Sequence, residues 1–328
     1  MEDIRERIFD LHSEKEFDNL CLDVFRYQYQ NNDVYSRWCD LLGRESGNVK
    51  SRSDIPFLPI GFFRTHKVVS FKEDPISFFK SSGTSSSSVS KHWIQSFDLY
   101  ERSFVANFEQ FFGNAEGYCF LALLPNYQQQ GNSSLVCMMQ GLISRSKYSE
   151  SGFYPHDIER IRDLLLWNES RHVPTILFGV SYALLDLAEA CEFNLRYTTV
   201  FETGGMKGRR KELPKQELHK ILGKAFGVQS IASEYGMCEL FSQAYSKADG
   251  RFFCPKQMKV EIKEVNDPFT DCKIGKTGVI NIIDLANLDS CSFIATEDVG
   301  KLHKDGSFEI LGRLDKAVVK GCNLMYEL

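Results

Sequence analysis

The sequence lacks the features that define several classes of protein. Its ten cysteines include no C-x-x-C pair, because no two of them lie closer than sixteen residues, and this excludes zinc ribbons and thioredoxin-type redox sites. No apolar run approaches the ~20 residues of a bilayer-spanning helix. Glycine and proline number only 23 and 9 in 328 residues, which excludes fibrous and linker-dominated proteins. A net charge of −5 provides no bulk attraction to nucleic acid or to anionic lipid.

What is present is the composition of a globular protein. Apolar residues make up 43% and charged residues 25% of the chain. At roughly 150 residues per domain, the length predicts about two domains or one large α/β domain. The N-terminus is charged throughout and does not have the pattern of a secretory signal. We therefore expect a cytoplasmic protein with reduced cysteines, most of them buried.

Three regions differ in their periodicity. Residues 1–55 repeat apolar and aromatic residues at three- and four-residue steps, which predicts a helical N-terminal region. Residues 56–250 alternate short apolar segments with amphipathic ones, which predicts an α/β core around a mostly parallel sheet. Residues 251–328 hold short strands between Gly, Asn and Asp turns, which predicts a β-rich C-terminal part. Predicted strands of the core are 68–71, 76–79, 118–124, 175–178, 197–202 and 228–233, and predicted helices are 98–112, 134–144, 157–167, 182–191 and 215–225.

A serine-rich segment, residues 81–91, stands between two predicted strands. It contains Ser82, Gly83, Thr84 and Ser85 and ends at Lys91. Hydroxyls and backbone N–H groups on a glycine-bearing turn bind phosphate oxygens, and a lysine adds positive charge. The alternative is a flexible serine linker, although a linker rarely lies tightly between strands of a core. Taken alone, the segment leaves both interpretations open.

Two motifs follow later strands. Gly204 and Gly205 form a pair that permits the close approach of a flat ligand, and an ordinary turn is the alternative. Tyr235, next to a glycine, offers a ring that stacks on a base, and Glu239 offers a carboxylate to a hard cation such as Mg²⁺. Each of these signals is weak by itself.

Near the C-terminus, a carboxylate and a guanidinium lie in two short polar motifs. Asp298 follows Thr296 and Glu297, and Arg313 follows Gly312. A carboxylate accepts hydrogen bonds from ribose hydroxyls, and an arginine pairs with phosphate. The alternative is a polar β-hairpin with a surface Arg–Asp pair.

The order of these motifs resembles the adenylate-forming superfamily of acyl-activating enzymes. Residues 58–68, 124–127, 132–135 and 320–325 are similar to its acyl-protein synthetase branch (LuxE-like), the fatty-acid-activating component of bacterial luminescence fatty acid reductase and its non-luminous relatives. The resemblance covers residues 55–328. It implies the large-domain architecture of adenylate-forming enzymes, with a helical N-terminal region and a β-rich C-terminal region, and without the full C-terminal lid domain.

The resemblance also implies ligands and roles. ATP and Mg²⁺ are the implied cofactors, a fatty acid or other carboxylate is the substrate, and an acyl-CoA-reductase-like protein is the partner that receives the acyl group. The implied roles are phosphate binding by Ser82, Gly83, Thr84, Ser85 and Lys91, adenine contact by Gly204 and Gly205, base stacking by Tyr235, Mg²⁺ ligation by Glu239, ribose binding by Asp298, ribose or α-phosphate contact by Arg313, and acyl acceptance as a thioester by Cys322. Cys322, Lys91 and Arg313 are thus the implied catalytic residues. Apolar residues around Tyr127 and Phe178 are expected to line the acyl pocket.

The chain departs from the family pattern at three places. Glu297 stands where the family has glycine, and Cys238 stands where it has threonine, which removes a hydroxyl from the phosphate side. The adenylation lysine of the lid has no counterpart that we identify. Beside Cys322, Lys316 and Lys320 favour the thiolate, the reactive form of a cysteine.

Three alternatives to a thioester-forming synthetase stay open. One is an acyl- or aryl-CoA ligase without a protein-bound intermediate, and another is a non-catalytic scaffold that binds nucleotide or acyl chains. The third is a hydrolase, because Gly179-Val180-Ser181-Tyr182-Ala183 stands between a predicted strand and a predicted helix, the context of a nucleophile elbow.

Overall fold

A computed structural model describes residues 2–81, 89–124, 131–155, 157–204, 210–211 and 213–314. In chain order the elements are α1 (Glu2–Arg7), α2 (Glu14–Asn31), α3 (Asp33–Leu41), β1 (Leu58–Pro59), α4 (Phe62–Thr65), β2 (Ser77–Lys80), β3 (Lys91–Ile94), α5 (Asp98–Phe112), β4 (Cys119–Leu123), α6 (Ser134–Arg145), β5 (Gly152–Phe153), α7 (Ile158–Ser170), β6 (Thr175–Val180), α8 (Ser181–Ala190), β7 (Thr198–Thr203), α9 (Lys215–Phe226), β8 (Ala232–Tyr235), β9 (Ala244–Ser246), β10 (Met258–Glu264), β11 (Asp267–Asp271), β12 (Thr277–Asp284), β13 (Phe293–Leu302) and β14 (Phe308–Arg313).

The middle of the chain forms a six-stranded sheet in the order β5-β4-β6-β7-β8-β9. The first five strands are parallel, and β9 runs antiparallel to β8. Every residue of β4 and β6 is buried, as expected for strands covered on both faces. Aromatic residues attach α5 to one face, where Phe112 lies 4.9 Å from Phe201 of β7 between ring centroids. This face is called the α5 face below, and the opposite one, against which α9 packs, is the α9 face.

The C-terminal part forms a second, mostly antiparallel sheet in the order β1-β13-β12-β10-β11, with β14 paired to β13. Strand β1 comes from the start of the chain and pairs in parallel with β13. The register of β13 and β14 sets Asp298 directly opposite Arg313. This pairing brings two residues of separate sequence motifs to one place.

The N-terminal helices pack against this second sheet region. The side-chain amide of Gln28 in α2 donates to the carbonyls of Asn287 and Leu288 at 3.0 and 3.1 Å, and its oxygen accepts from the backbone N–H of Ser292 at 3.0 Å. Gln28 is fully buried, so these bonds satisfy polar groups that water does not reach. The helices are thereby fixed to the C-terminal sheet by polar as well as apolar contacts.

The fold class predicted from the sequence is confirmed, and most elements lie within a few residues of their predicted positions. The strand predicted at 68–71 is wrong, since this segment is not in a sheet. Ser70 instead donates its backbone N–H to the carbonyl of Asp289 at 2.9 Å and its hydroxyl to that of Ser290 at 2.6 Å. Buried residues from Ile8 to Phe308 form one continuous cluster, and the division at residues 55 and 250 stays a prediction.

None of the helices within the described ranges combines the length and the hydropathy that a membrane span requires.

Candidate functional site

Three of the predicted nucleotide-binding residues meet where the two sheets adjoin. The hydroxyl of Tyr235, the last residue of β8, donates to Oδ2 of Asp298 on β13 at 2.8 Å. Nε of Arg313 lies 3.4 Å from the other oxygen, Oδ1, of the same carboxylate. Tyr235 is more than fifty residues from the other two along the chain, and the structure joins all three in one polar group.

Burial differs within this group. The ring of Tyr235 is 8% exposed and packs edge-on against Phe252 and Phe308, with centroid distances of 6.0 and 5.7 Å. The side chain of Arg313 is 63% exposed. Burial raises the pKa of Asp298, whereas the Tyr235 hydrogen bond and the charge of Arg313 oppose that rise. The group thus presents one exposed cation beside one largely buried carboxylate, a combination suited to a ribose phosphate.

Glu297, at the position where the family has glycine, connects this group to the N-terminal part. Its Oε2 lies 3.1 Å from Nη2 of Arg313 and 3.1 Å from Nη2 of Arg64 in α4. The backbone N–H of Leu314 also donates to the carbonyl of Glu297 at 2.7 Å. The residue therefore holds the end of β14 in place.

Lys91 is the first residue of β3, on the hairpin that brackets the serine-rich segment. Its ammonium lies 5.3 Å from the ring centroid of Phe78 and 5.6 Å from that of Trp93. The two ends of the segment are joined, because the N–H of Ser81 donates to the carbonyl of Ser90 at 3.2 Å. The prediction that the segment stands between two strands is confirmed, since β2 ends at Lys80 and β3 begins at Lys91.

His92, next to Lys91, connects this hairpin to the motif of Tyr235 and Glu239. Its Nδ1 lies 2.9 Å from the carbonyl oxygen of Cys238, so this nitrogen carries the proton and donates. The ring stacks on Phe241 at 4.7 Å between centroids and is 1% exposed. Burial lowers the pKa of His92 to about 4, so the imidazole is neutral. Sequence reasoning missed this residue, although a histidine inside a predicted strand was visible.

Glu239, the predicted metal ligand, is 5% exposed. Its Oε2 accepts from the thiol of Cys238 at 3.1 Å, so the residue that replaces threonine bonds to the carboxylate. No group of three or more His, Cys, Asp or Glu side chains within the described ranges is arranged to hold a metal ion. Since Mg²⁺ is commonly bound by one or two carboxylates plus phosphate and water oxygens, Glu239 fits such an ion only together with ATP.

Gly204 directly follows β7 and has a φ of 67°, a conformation that favours glycine. Its carbonyl accepts the hydroxyl hydrogen bond of Ser181 at 3.0 Å, and Ser181 is 2% exposed. This contact gives Ser181 a structural partner in place of the imidazole that a hydrolase nucleophile requires. The same contact fixes the start of the Gly204 turn.

Several predicted residues lie outside the described residues. They are Ser82, Gly83, Thr84, Ser85, Gly205 and Cys322, together with Tyr127 of the expected acyl pocket. Their roles stay predictions. Phe178, the other expected pocket residue, lies on β6 and stacks on Phe201 at 5.7 Å between centroids.

A buried glutamate in β7 and a partly buried one in β8 were missed by the sequence reasoning. Glu202 is 4% exposed and lies 3.2 Å from Nζ of Lys215, and burial raises the pKa of its carboxyl. Oε2 of Glu234 accepts from the hydroxyl of Thr203 at 2.7 Å. Burial, opposed by the Thr203 bond, raises the pKa of Glu234 to about 7. The sequence feature that could have identified them is a charged residue at the end of a predicted apolar strand.

Three of the described cysteines are poor nucleophiles. Burial raises the pKa of Cys39 and Cys254 to about 12 and that of Cys137 to about 11. A thiol with such a pKa is scarcely ionised at neutral pH.

Comparison with solved structures defines the class of the fold. The complex of 2-hydroxyisobutyryl-CoA ligase with 2-HIB-AMP and CoA is 15% identical over 93% of this chain and 69% of that chain, with a TM-score of 0.70. ATP-bound MatB from Rhodopseudomonas palustris is 17% identical over 75% of this chain and 49% of that chain, with a TM-score of 0.56. O-succinylbenzoate CoA synthetase (MenE) from Bacillus subtilis, with ATP and magnesium, is 17% identical over 72% of this chain and 49% of that chain, with a TM-score of 0.51. The fold is that of the large domain of adenylate-forming enzymes, and the chain spans about half the length of MatB and MenE.

A family comparison narrows this class. Residues 8–97 match the family model described as acyl-protein synthetase, LuxE. The predicted resemblance to LuxE-like acyl-protein synthetases of the adenylate-forming superfamily is thus confirmed. The match includes N-terminal helices that the sequence motifs had not included, and it ends at residue 97. A search of curated proteins by sequence gave no match.

Proposed function

We propose that this protein activates a carboxylic acid, such as a fatty acid, with ATP and then carries the acyl group as a thioester on Cys322. The observation that carries the proposal is the contact of Tyr235, Asp298 and Arg313, in a fold shared with adenylate-forming enzymes and beside a segment that matches the LuxE family. A buried carboxylate and an exposed guanidinium at one point suit a ligand with hydroxyl groups and phosphate.

In the first step a carboxylate oxygen of the substrate attacks the α-phosphorus of ATP. A bond from this oxygen to phosphorus forms, the bond from the α-phosphorus to the bridging oxygen breaks, and pyrophosphate leaves with the electron pair. Lys91 and Arg313 supply positive charge where negative charge develops. Glu239 would hold Mg²⁺, which would neutralise charge on the phosphates. Asp298 would accept the ribose hydroxyls and thereby orient the α-phosphate.

In the second step the thiolate of Cys322 attacks the acyl carbon of the adenylate. A sulfur–carbon bond forms, the bond from the acyl carbon to the phosphate oxygen breaks, and AMP leaves. Activation is needed because a free carboxylate is a poor electrophile. The thioester then passes to a reductase or transferase partner.

The test measures the two steps separately. Carboxylate-dependent exchange of pyrophosphate into ATP reports the first step, and hydroxylamine-sensitive labelling of the protein by a labelled acid reports the second. We expect Cys322→Ser to lose the label and to retain the exchange. Cys191→Ser is the matched control, because Cys191 is a partly buried cysteine at the C-terminal end of α8, and this variant should keep both the label and the exchange.

Each alternative has its own outcome in this test. A hydroxylamine-sensitive label that survives Cys322→Ser refutes the acyl acceptor. Pyrophosphate release that requires free CoA, without any protein label, indicates a CoA ligase. An absence of exchange with acids of every chain length indicates a non-catalytic scaffold.

A further inference from the structure

The α5 face of the central sheet carries a polar cluster beside the proposed nucleotide site. Thr203 of β7, Glu234 of β8 and Tyr245 of β9 occupy neighbouring positions, since β7 and β8 are in parallel register and Glu234 pairs with Tyr245. We call these three residues the α5-face cluster. Thr203 precedes Gly204 and Glu234 precedes Tyr235, so the cluster lies one residue, about 3.8 Å along the chain, from the predicted nucleotide residues.

The alternation of side chains along a strand separates this cluster from the nucleotide group. Glu202 and Tyr235, one residue away on each strand, point to the α9 face, where Glu202 contacts Lys215. Ligands of open parallel sheets bind at the carboxyl ends of the strands, and both sets lie at those ends. A nucleotide on one side thus leaves the α5 face for the second substrate, the carboxylic acid.

One atom of the cluster has no partner among the described residues. The hydroxyl of Tyr245 is buried and makes no hydrogen bond, and the residue is 1% exposed. Its ring is held edge-on by Phe111 and Phe112 at 5.6 and 5.4 Å between centroids. A buried polar atom without a partner is unfavourable, and a fixed ring has few ways to relieve it.

Glu234, opposite Tyr245, is held just as firmly. Its Oε2 accepts from Thr203 at 2.7 Å. Its Oε1 lies against Gly236, where a Cβ would overlap the oxygen. Any residue other than glycine at position 236 would displace this carboxyl group. The missing side chain of Gly236 therefore leaves the space that Glu234 occupies.

Aromatic side chains surround these polar groups. Phe201 lies on the same face as Thr203 and contacts Phe178 at 5.7 Å and Tyr245 at 6.1 Å between centroids. An apolar acyl chain would pack well against the rings, whereas it offers nothing to the phenol hydroxyl of Tyr245. The combination is suited to an acid that is apolar along its length and polar at one point.

We propose that the α5-face cluster binds the carboxylic acid, and that this acid carries a hydroxyl or amino substituent near its carboxyl group which hydrogen-bonds to Tyr245 and Glu234. This inference rests on the proposed adenylation function, whose substrate it specifies. The substituent lies on the first few carbons, because the cluster is adjacent to the residues proposed to hold the nucleotide.

The protonation of Glu234 distinguishes the two kinds of substituent. The pKa of this carboxyl is raised by burial to about 7; Tyr245 and Tyr100 are electrostatically coupled to it on the α5 face, and Glu202 and Lys215 act on it from the opposite face. A hydroxyl group bonds to either form of the carboxyl, whereas an ammonium group requires the carboxylate. The preference for an amino acid over its hydroxy analogue therefore rises as the pH passes 7.

The experiment compares three acids of equal chain length, namely the plain alkanoate and its 3-hydroxy and 3-amino derivatives, at short, medium and long chain lengths. Pyrophosphate exchange gives kcat/KM for each acid with the wild type, Tyr245→Phe, Glu234→Gln and Tyr154→Phe. Tyr154→Phe is the control, because it removes a phenol hydroxyl that already donates to the carbonyl of Glu150. Tyr154 directly follows β5, at the edge of the sheet opposite β9.

We expect a substituted acid to be preferred over the plain one by about tenfold or more, because the plain acid leaves the buried hydroxyl of Tyr245 unpaired. Tyr245→Phe lowers this preference to less than about threefold, and Tyr154→Phe retains it. A plain acid that equals the substituted ones, or a preference that survives both Tyr245→Phe and Glu234→Gln, overturns the inference.

Calorimetric binding of the same acids in the presence of a non-hydrolysable ATP analogue separates this inference from the proposed function. Selective binding that depends on Tyr245, without any exchange, supports the pocket and refutes catalysis. Exchange with plain acids alone supports catalysis and refutes the pocket. If the protein shows neither exchange nor binding, both the pocket and the proposed function are overturned.

Discussion

The hydrogen bond between Tyr235 and Asp298 joins the two sheets at the proposed nucleotide site, and its removal is a direct test of the site. Tyr235→Phe deletes the hydroxyl and keeps the ring, which packs between Phe252 and Phe308. Asp298→Ala deletes the carboxylate that accepts this hydrogen bond. The coupling free energy from the double-mutant cycle isolates the bond between them.

The expected size follows from burial. The tyrosine is 8% exposed and the side chain of Asp298 is 14% exposed, so water replaces the lost partner poorly. Arg313 lies 3.4 Å from the carboxylate but is 63% exposed, and an exposed pair contributes little. Hydrogen bonds to charged groups are worth about 1.5–3 kcal/mol, which corresponds to roughly tenfold to a hundredfold in an equilibrium constant.

Urea unfolding of the wild type, the two single variants and the double variant measures the coupling, which we expect to be about 1.5 kcal/mol or more. ATP affinity, measured by calorimetry, should fall about tenfold for Tyr235→Phe, because the carboxylate proposed to bind ribose loses its orientation. The control cycle uses Tyr29 and Asp40, whose hydroxyl and carboxylate bond at 2.6 Å on the exposed surface. A coupling no larger than that of the exposed control pair, with unchanged ATP affinity, would refute the reasoning.

Two further predictions concern Glu234 and His92, whose pKa values are shifted by their surroundings. Because the folded pKa of Glu234, about 7, lies above its ordinary value of 4.5, its contribution to stability is complete below pH 4.5 and is lost as the pH rises through 7. Between pH 5 and 8 the free energy of unfolding of the wild type, measured in urea, should therefore fall by about 2–3 kcal/mol relative to that of Glu234→Gln. Plots of unfolding free energy against pH that run parallel for the two proteins would contradict this. The difference is the readout, because histidines with a lowered pKa produce the opposite slope. His92→Phe keeps the stacking on Phe241 and leaves the carbonyl of Cys238 without its hydrogen bond. The free energy of unfolding should therefore fall by about 1–2 kcal/mol, and pyrophosphate exchange should slow. The exposed His12→Phe is the control, and a His92→Phe variant that matches it in both measurements would show that the bond is unimportant.

Local sequence patterns predicted most of the individual elements. The helix predicted at 98–112 corresponds to α5, and the strand predicted at 118–124 contains β4. Such success is expected where a segment is strongly periodic, because the burial of one face depends on residues three or four positions apart. The strand predicted at 68–71 was wrong because Ser70 hydrogen-bonds to residues 289 and 290, which no local window includes.

The candidate site was predicted in part for a similar reason. Tyr235, Asp298 and Arg313 were each identified from a motif, and the hydrogen bond from Tyr235 to Asp298 was not predicted. Glu202 and Glu234 were not identified, since a glutamate in the sequence shows neither its burial nor its neighbours. The pKa of Glu234 is raised by its surroundings, and those surroundings come from β7, β9, α5 and α9.

The sequence by itself determined the fold class, the order of most helices and strands of the core, and the residue types available for nucleotide chemistry. Those properties depend on composition, periodicity and short motifs. The tertiary structure alone decided that Glu297 stands between Arg64 and Arg313, that β1 pairs with β13, and that the α5 face holds a phenol and a carboxyl group among aromatic rings. These contacts join residues far apart in the chain, and their energies depend on burial that only the complete packing creates.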